Sequence, residues 1–129
     1  MRKAFTLVEL LGVLLILGIV TLITVPIVIK TVTSSKESVY KNQVNEIEKV
    51  ARNWFIKDPV MFDESVKKVK VSVSYLVKEG YVESTKVINP KTDEEMMGCV
   101  VITESLNQYY YDYTDTDCTC KNDTGCKTF

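Results

Sequence analysis

The side chains with chemical reach in this chain gather near its two ends. Glu9 lies in a run that opens at Phe5 and meets no other charge until Lys30. An ionisable side chain inside hydrocarbon costs on the order of 2 to 3 kcal/mol, so a carboxylate there needs a partner. At the other end, Cys99, Cys118, Cys120 and Cys126 all fall in the last 31 of 129 residues. An even cysteine count in a small domain argues for disulfides and an oxidising compartment. Cys-x-Cys followed by a third cysteine after five more residues lacks the Cys-x2-Cys spacing of structural zinc, so no metal is expected there. One residue between Cys118 and Cys120 is too short for unstrained bridge geometry. Cys99 is then expected to join Cys118 or Cys120, with the other joined to Cys126. Asp112, Asp115, Asp117 and Asp123 lack the spacing and glycine of a calcium loop and are expected to be solvated.

The chain has no histidine. That removes the commonest general base and metal ligand and rules out Ser-His and Cys-His catalysis within it. A structural or binding protein without a cofactor is expected rather than an enzyme. The net charge of −1 gives no footprint for nucleic acid.

Two kinds of element must position these residues. Leu10 to Ile29 are uncharged, and at about 1.5 Å per residue a helix of this length spans about 30 Å, one bilayer core. A cleaved secretory signal has a shorter apolar region and a small-x-small site, which Thr24-Val25-Pro26-Ile27-Val28 does not offer. Arg2 and Lys3 would keep the start of the chain cytoplasmic and direct the rest outward, with Lys30 and Lys36 working weakly against that bias. Pro26 has no backbone donor and crowds the carbonyl of Leu22, predicting a kink; Gly18 weakens the helix locally, as Gly12 does. Helical spacing continues through Val39, Tyr40, Val44, Ile47, Val50, Ala51, Trp54 and Phe55, with Glu37–Lys41 and Glu48–Arg52 as i,i+4 pairs on the opposite side. Thr31 to Ser35 is the weak stretch, and Asp58-Pro59 ends the helix.

Roughly 75 residues remain for a head, too few for a large core. After a polar linker at 61–67, Val69, Val71 and Val73 alternate with Lys68, Lys70 and Ser72, which reads as a strand. A turn of helix follows, with Ser74 as N-cap and Gly80 as its stop. Asn89 to Asp93 is a turn. Cys99 to Thr103 and Gln108 to Tyr113 form two antiparallel strands joined across 104–107, with Tyr109, Tyr111 and Tyr113 on the face laid against the amphipathic helix. The tail from Thr114 is polar and would be loose unless bridged.

Phe5-Thr6-Leu7-Val8-Glu9-Leu10-Leu11, preceded by Arg2-Lys3-Ala4 and followed by the uncharged span, resembles the start of the type IV pilin and pseudopilin family. The resemblance implies a short leader, residues 1–4, cut between Ala4 and Phe5 by a prepilin peptidase that then N-methylates Phe5. Ala4 departs from the glycine the family carries there. It also implies that Glu9 pairs with the N-terminal amine of a neighbouring subunit, setting register in a filament. The stretch bounded by Gly18 and Pro26 is similar to the one that loosens when such subunits pack. Leu76, Gly80 and Tyr81 match a Leu-x-x-x-Gly-Tyr pattern of pilin-like heads.

The expected fold is α+β. A long N-terminal helix, membrane-spanning over 5–29 and amphipathic over 30–56, packs on a small antiparallel sheet head, 57–129, stapled by disulfides. The expected function is a structural subunit of a pilus-like filament, held in the membrane until pilus assembly machinery extracts it into a homo- or hetero-oligomeric polymer. A pseudopilin of a secretion or DNA-uptake system and a membrane-anchored exported binding domain are the rival readings.

Overall fold

The computed structural model describes residues 4–57, 62, 65–121 and 124–129. Arg2, Lys3, the Asp58-Pro59 helix stop, Asp123 and most of the linker before Ser65 lie outside the described residues. The chain forms two units, Met1–Lys36 and Glu37–Phe129. The first consists of the helix α1 (Leu7–Lys57) up to Lys36; the rest of α1 belongs to the head.

In the head, α1 is followed by β1 (Lys68–Ser72), α2 (Val73–Lys78), a 3-10 turn at Ser84–Lys86, β2 (Cys99–Ser105), β3 (Gln108–Thr114) and β4 (Cys126–Thr128). The sheet order is β3-β2-β1-β4. β1–β2 and β2–β3 are antiparallel, whereas β4 runs parallel to β1, so the sheet is mixed rather than purely antiparallel. β4 was not expected from the sequence. Three residues are too few to display alternation, and its pairing rests on Lys67 and Lys68 N–H donating to the Gly125 carbonyl and on Phe129 N–H donating to Lys70.

The core joins Ile47, Val50, Ala51, Trp54 and Phe55 of α1 to Val69 and Val71 of β1, Val73 and Leu76 of α2, Val100 and Ile102 of β2, and Val87 and Met96 from the loops. These α1 residues recur at three- and four-residue spacing, placing one stripe against the sheet. Val39 stays exposed at the margin of the stripe. The flanking charges make their main contacts elsewhere than the expected i,i+4 partners: Glu37 pairs with Lys91, with Lys41 a lesser favourable influence, Glu48 accepts the Tyr113 N–H at 3.0 Å, and Arg52 lies 5.1 Å above the Tyr111 ring. The Tyr113 donor is partly buried, so Glu48 satisfies a group that would be costly to leave unpaired.

Short-range signals account for much of the remaining geometry. Ser72, rather than Ser74, caps α2, its hydroxyl accepting the Tyr75 N–H at 3.1 Å. At the other end Gly80 takes φ 77, Tyr81 N–H donates to Leu76 and Gly80 N–H to Val77. This is a Schellman closure, which needs the left-handed residue at Gly80 and apolar residues on either side of it. The β2–β3 connection is tighter than expected: Leu106 and Asn107, at φ 53 and 60, make a two-residue turn of the kind whose twist suits a hairpin. Asn89 to Asp93 forms the expected turn, with Asn89 Oδ1 accepting from Lys91 N–H.

Gly98 is the tightest approach in the head. A Cβ there would overlap the Thr114 carbonyl oxygen and come within 2.7 Å of the Tyr113 ring. Above it, Tyr113 and Tyr40 both donate their hydroxyls to Asp115, at 2.7 and 3.2 Å.

We expect Gly98→Ala to destabilise the head by about 1 to 3 kcal/mol in denaturant titration, because backbone and a packed ring must both shift. Tyr113, Tyr40 and Tyr111 have phenol pKa values raised above the ordinary 10, chiefly by burial, and for Tyr113 and Tyr40 also by the Asp115 carboxylate. The folded state therefore keeps protons that the unfolded chain releases near pH 10. Their contribution is complete below that pH and declines as pH rises toward the folded values. Thermal midpoints followed by Trp54 fluorescence should be flat near pH 8 and fall above about pH 10, less steeply in Tyr113→Phe.

Candidate functional site

The chain leaves Ala4, Phe5 and Thr6 non-helical and enters α1 at Leu7. Ala4 and Phe5 are both exposed, so the peptide bond between them lies outside the helix and is open to solvent. Thr6 takes the N-cap position and Glu9 the third helical position. Thr6 N–H donates to Glu9 Oε2 at 3.0 Å, and Glu9 N–H donates to Thr6 Oγ1 at 3.3 Å. This is a capping box, in which two side chains satisfy two of the backbone donors that every helix start leaves open. The carboxylate also sits at the positive end of the helix dipole.

Glu9 therefore has a partner within its own chain. The resemblance points Glu9 to the amine of a neighbouring subunit, yet Thr-x-x-Glu before an apolar run is itself a legible signal of a partner within the chain. Thr6 is the residue that was missed. Two carboxylate oxygens can accept several hydrogen bonds, and Oε2 uses only part of that capacity here, so a further donor can be taken on beside Thr6.

From Leu10 to Ile29 the helix carries no charge and is largely apolar on every side. Leu10, Leu14, Leu17, Leu22, Ile27 and their neighbours are all exposed, and this is the one helix among the described residues long and apolar enough to cross a membrane. Its polar side chains are satisfied internally: the Thr21, Thr24, Thr31 and Thr33 hydroxyls donate to the carbonyls of Leu17, Val20, Ile27 and Ile29. Such back-bonding spares a hydroxyl an unpaired position in lipid. Thr31 to Ser35, expected to be weak, stays helical, with the Ser35 hydroxyl donating to the Thr31 carbonyl in the same way, and the helix continues without interruption past Gly18 and through Pro26. A side chain added at Gly12 or Gly18 would meet nothing within 4 Å.

The cysteines form a separate group in the head. Cys99 is joined to Cys118 and Cys120 to Cys126, one of the two pairings the spacing left open. Cys99 is buried at the start of β2, and Cys126 opens β4. Among the described residues no three histidine, cysteine or acidic side chains converge as a metal site. Comparison of the chain with protein-family models, with curated proteins and with solved structures finds no match.

The capping box makes a specific demand on Thr6. Thr6→Val keeps the volume but removes the acceptor for Glu9 N–H, a loss of about 0.5 to 2 kcal/mol for a cap. In micelles the Glu9 amide should then exchange with solvent roughly 2- to 30-fold faster, whereas Thr6→Ser should hold near the parent rate.

Proposed function

We propose that this protein is a structural subunit of a type IV pilus-like filament. The observation that carries the proposal is the start of α1: an exposed Ala4–Phe5 bond, then a carboxylate fixed in the first turn of a helix that is apolar all round. A single-pass anchor needs the apolar surface but not the carboxylate. A subunit that trades lipid for neighbouring helices uses both, since apolar burial is nearly conserved in the exchange and a charge pair adds register.

In this proposal a prepilin peptidase cuts between Ala4 and Phe5 and N-methylates the new amine. Before that cut the span holds the subunit in the membrane with its head outside. Assembly machinery then draws it into a polymer of like or related subunits through heterologous contacts that do not close. The amine at Phe5 of one subunit meets the free acceptor capacity of Glu9 in the next. In low dielectric the two charges offset much of each other's desolvation. The Thr6 N–H bond holds the carboxylate in position before the partner arrives. The head, without histidine and closed by disulfides, acts as a durable outer surface.

Intact-mass measurement of the protein recovered from cells decides the first step. A chain lacking residues 1–4 and carrying one added methyl group is expected; a mass still including Met1 fits a membrane-anchored exported domain instead and ends the filament proposal. Glu9→Gln keeps the shape and a weaker acceptor but loses the charge. It should lower surface filament yield by more than about tenfold, because an unmatched buried amine costs well over the roughly 1.4 kcal/mol that a factor of ten represents.

A further inference from the structure

The sheet of the head has two edges of very different character. β4 is three residues long and tied by Cys126 to Cys120. β3 is seven residues, Gln-Tyr-Tyr-Tyr-Asp-Tyr-Thr, with neither lysine nor proline to guard it. Natural edge strands are commonly blunted by such residues, by shortness or by a cover, because a bare edge pairs with any extended chain.

The register says which groups of β3 are open. In a two-residue hairpin the residues flanking the turn, Ser105 and Gln108, exchange hydrogen bonds, and every second pair from there does the same. Tyr110, Asp112 and Thr114 therefore face β2, while Tyr109, Tyr111 and Tyr113 turn their N–H and C=O groups outward. Tyr113 confirms this polarity, since its N–H reaches away from the sheet to Glu48 on α1. No described residue makes the corresponding bond to Tyr109 or Tyr111. Beside them lies a cleft of about 520 Å³ lined by Asn45, Glu48, Lys49 and Arg52 of α1 and by Tyr109 to Tyr111.

The charge of that wall selects the occupant. Glu48 is engaged by the Tyr113 N–H, Arg52 lies over the Tyr111 ring, and exposed Lys49 has only a 3.9 Å contact with Glu46. Glu48 keeps its charge in that bond, so the lining, with Lys49 and Arg52 against Glu48, carries a net charge of +1. A second copy of β3 would present tyrosines rather than carboxylates on that face, because its one acid, Asp112, points to the other side. We infer that the β3 edge is a binding site for an extended acidic segment of another polypeptide, added as a fifth strand with its carboxylates over Lys49 and Arg52. Main-chain bonds at Tyr109 and Tyr111 supply the pairing, and the two cations supply the preference for acid. The site is independent of the filament proposal, since it needs only the folded head.

The test uses the full chain in detergent micelles, with amide exchange read by NMR. The probe is a synthetic peptide of alternating valine and glutamate, about the length of β3. It should slow exchange at Tyr109 and Tyr111 by about tenfold or more while Tyr110 and Asp112, already bonded to β2, stay unchanged. The same peptide with lysine for glutamate should bind at least about tenfold more weakly, and the double variant Lys49→Gln with Arg52→Gln should erase that difference. Tyr109→Pro removes one outward donor without touching the β2 ladder, and should abolish binding while Trp54 fluorescence reports an intact head. Three results overturn the site: no protection at Tyr109 and Tyr111 by the acidic peptide, equal protection by the lysine peptide, or protection without peptide that disappears on dilution, which assigns the edge to a second copy.

Discussion

The head depends on one stripe of α1. Ile47, Val50, Ala51, Trp54 and Phe55 are the buried residues of α1, and they make up the largest share that any one element contributes to the core. Trp54 packs edge-on against Tyr75 and Phe129, and Phe55 against Phe62, Tyr109 and Tyr111, so two adjacent residues on one helix reach opposite ends of the sheet. Aromatic rings suit that position because each buries a large area with few rotamers. A head of this size has little apolar surface to spare, and the helix that carries the span is also its largest single contributor. A change that unwinds α1 near Trp54 consequently takes the core of the head with it.

At the other end of α1 the governing constraint is the valence of a carboxylate. Glu9 satisfies the Thr6 N–H and is satisfied in part by it, which lowers the cost of carrying a charge at the head of an apolar helix. It does not remove that cost, since an acid with one neutral donor still lacks a countercharge. The geometry is thus complete enough to be stable in one chain and incomplete enough to favour a cation. Placing the acid in the first helical turn, rather than further along the span, is what allows both: only there are backbone donors free and the dipole favourable.

The sequence made the long helix, its core stripe and the β2–β3 hairpin legible, because each repeats a period over many residues. Val69 and Val71 marked β1, and Leu76, Gly80 and Tyr81 marked the end of α2 through the turn chemistry a left-handed glycine permits. What stayed hidden was short or tertiary. β4 has too few residues to show alternation, and Phe129 is a lone apolar residue whose worth depends on Trp54 being nearby. On α1 local spacing says which charges can meet, while the fold gives Glu37 and Glu48 their main partners in Lys91 and the Tyr113 N–H. Alternation carries the strand pattern on to Val73, and only the observed end of β1 at Ser72 makes that residue, and not Ser74, the cap of α2. At the candidate site the acid was found but its partner was not, since the charge drew notice and Thr6 reads as an ordinary apolar-run neighbour until the helix start is fixed.

The cysteines make sense only in the context of the sheet order. β3 is at one edge and β4 at the other, and Thr114 lies level with Cys99 and Ser72 whereas Cys126 pairs level with Lys68, so the chain leaving Thr114 must cross β2 and β1 toward the opposite end of the sheet. None of the described residues of that passage is buried, and ordering each residue costs roughly 1 to 2 kcal/mol of backbone entropy. The anchors come in the order of the crossing. Cys118 is bonded to Cys99 at the start of β2, the next residue's carbonyl, Thr119, accepts from Lys70 of β1 at 3.3 Å, and Cys120 is bonded to Cys126 of β4. Closing the first of these loops restrains the unfolded chain by roughly 3 kcal/mol on the chain-entropy account. The two bridges thus do for the crossing what apolar burial does for the rest of the head, and they bring Phe129 to Trp54.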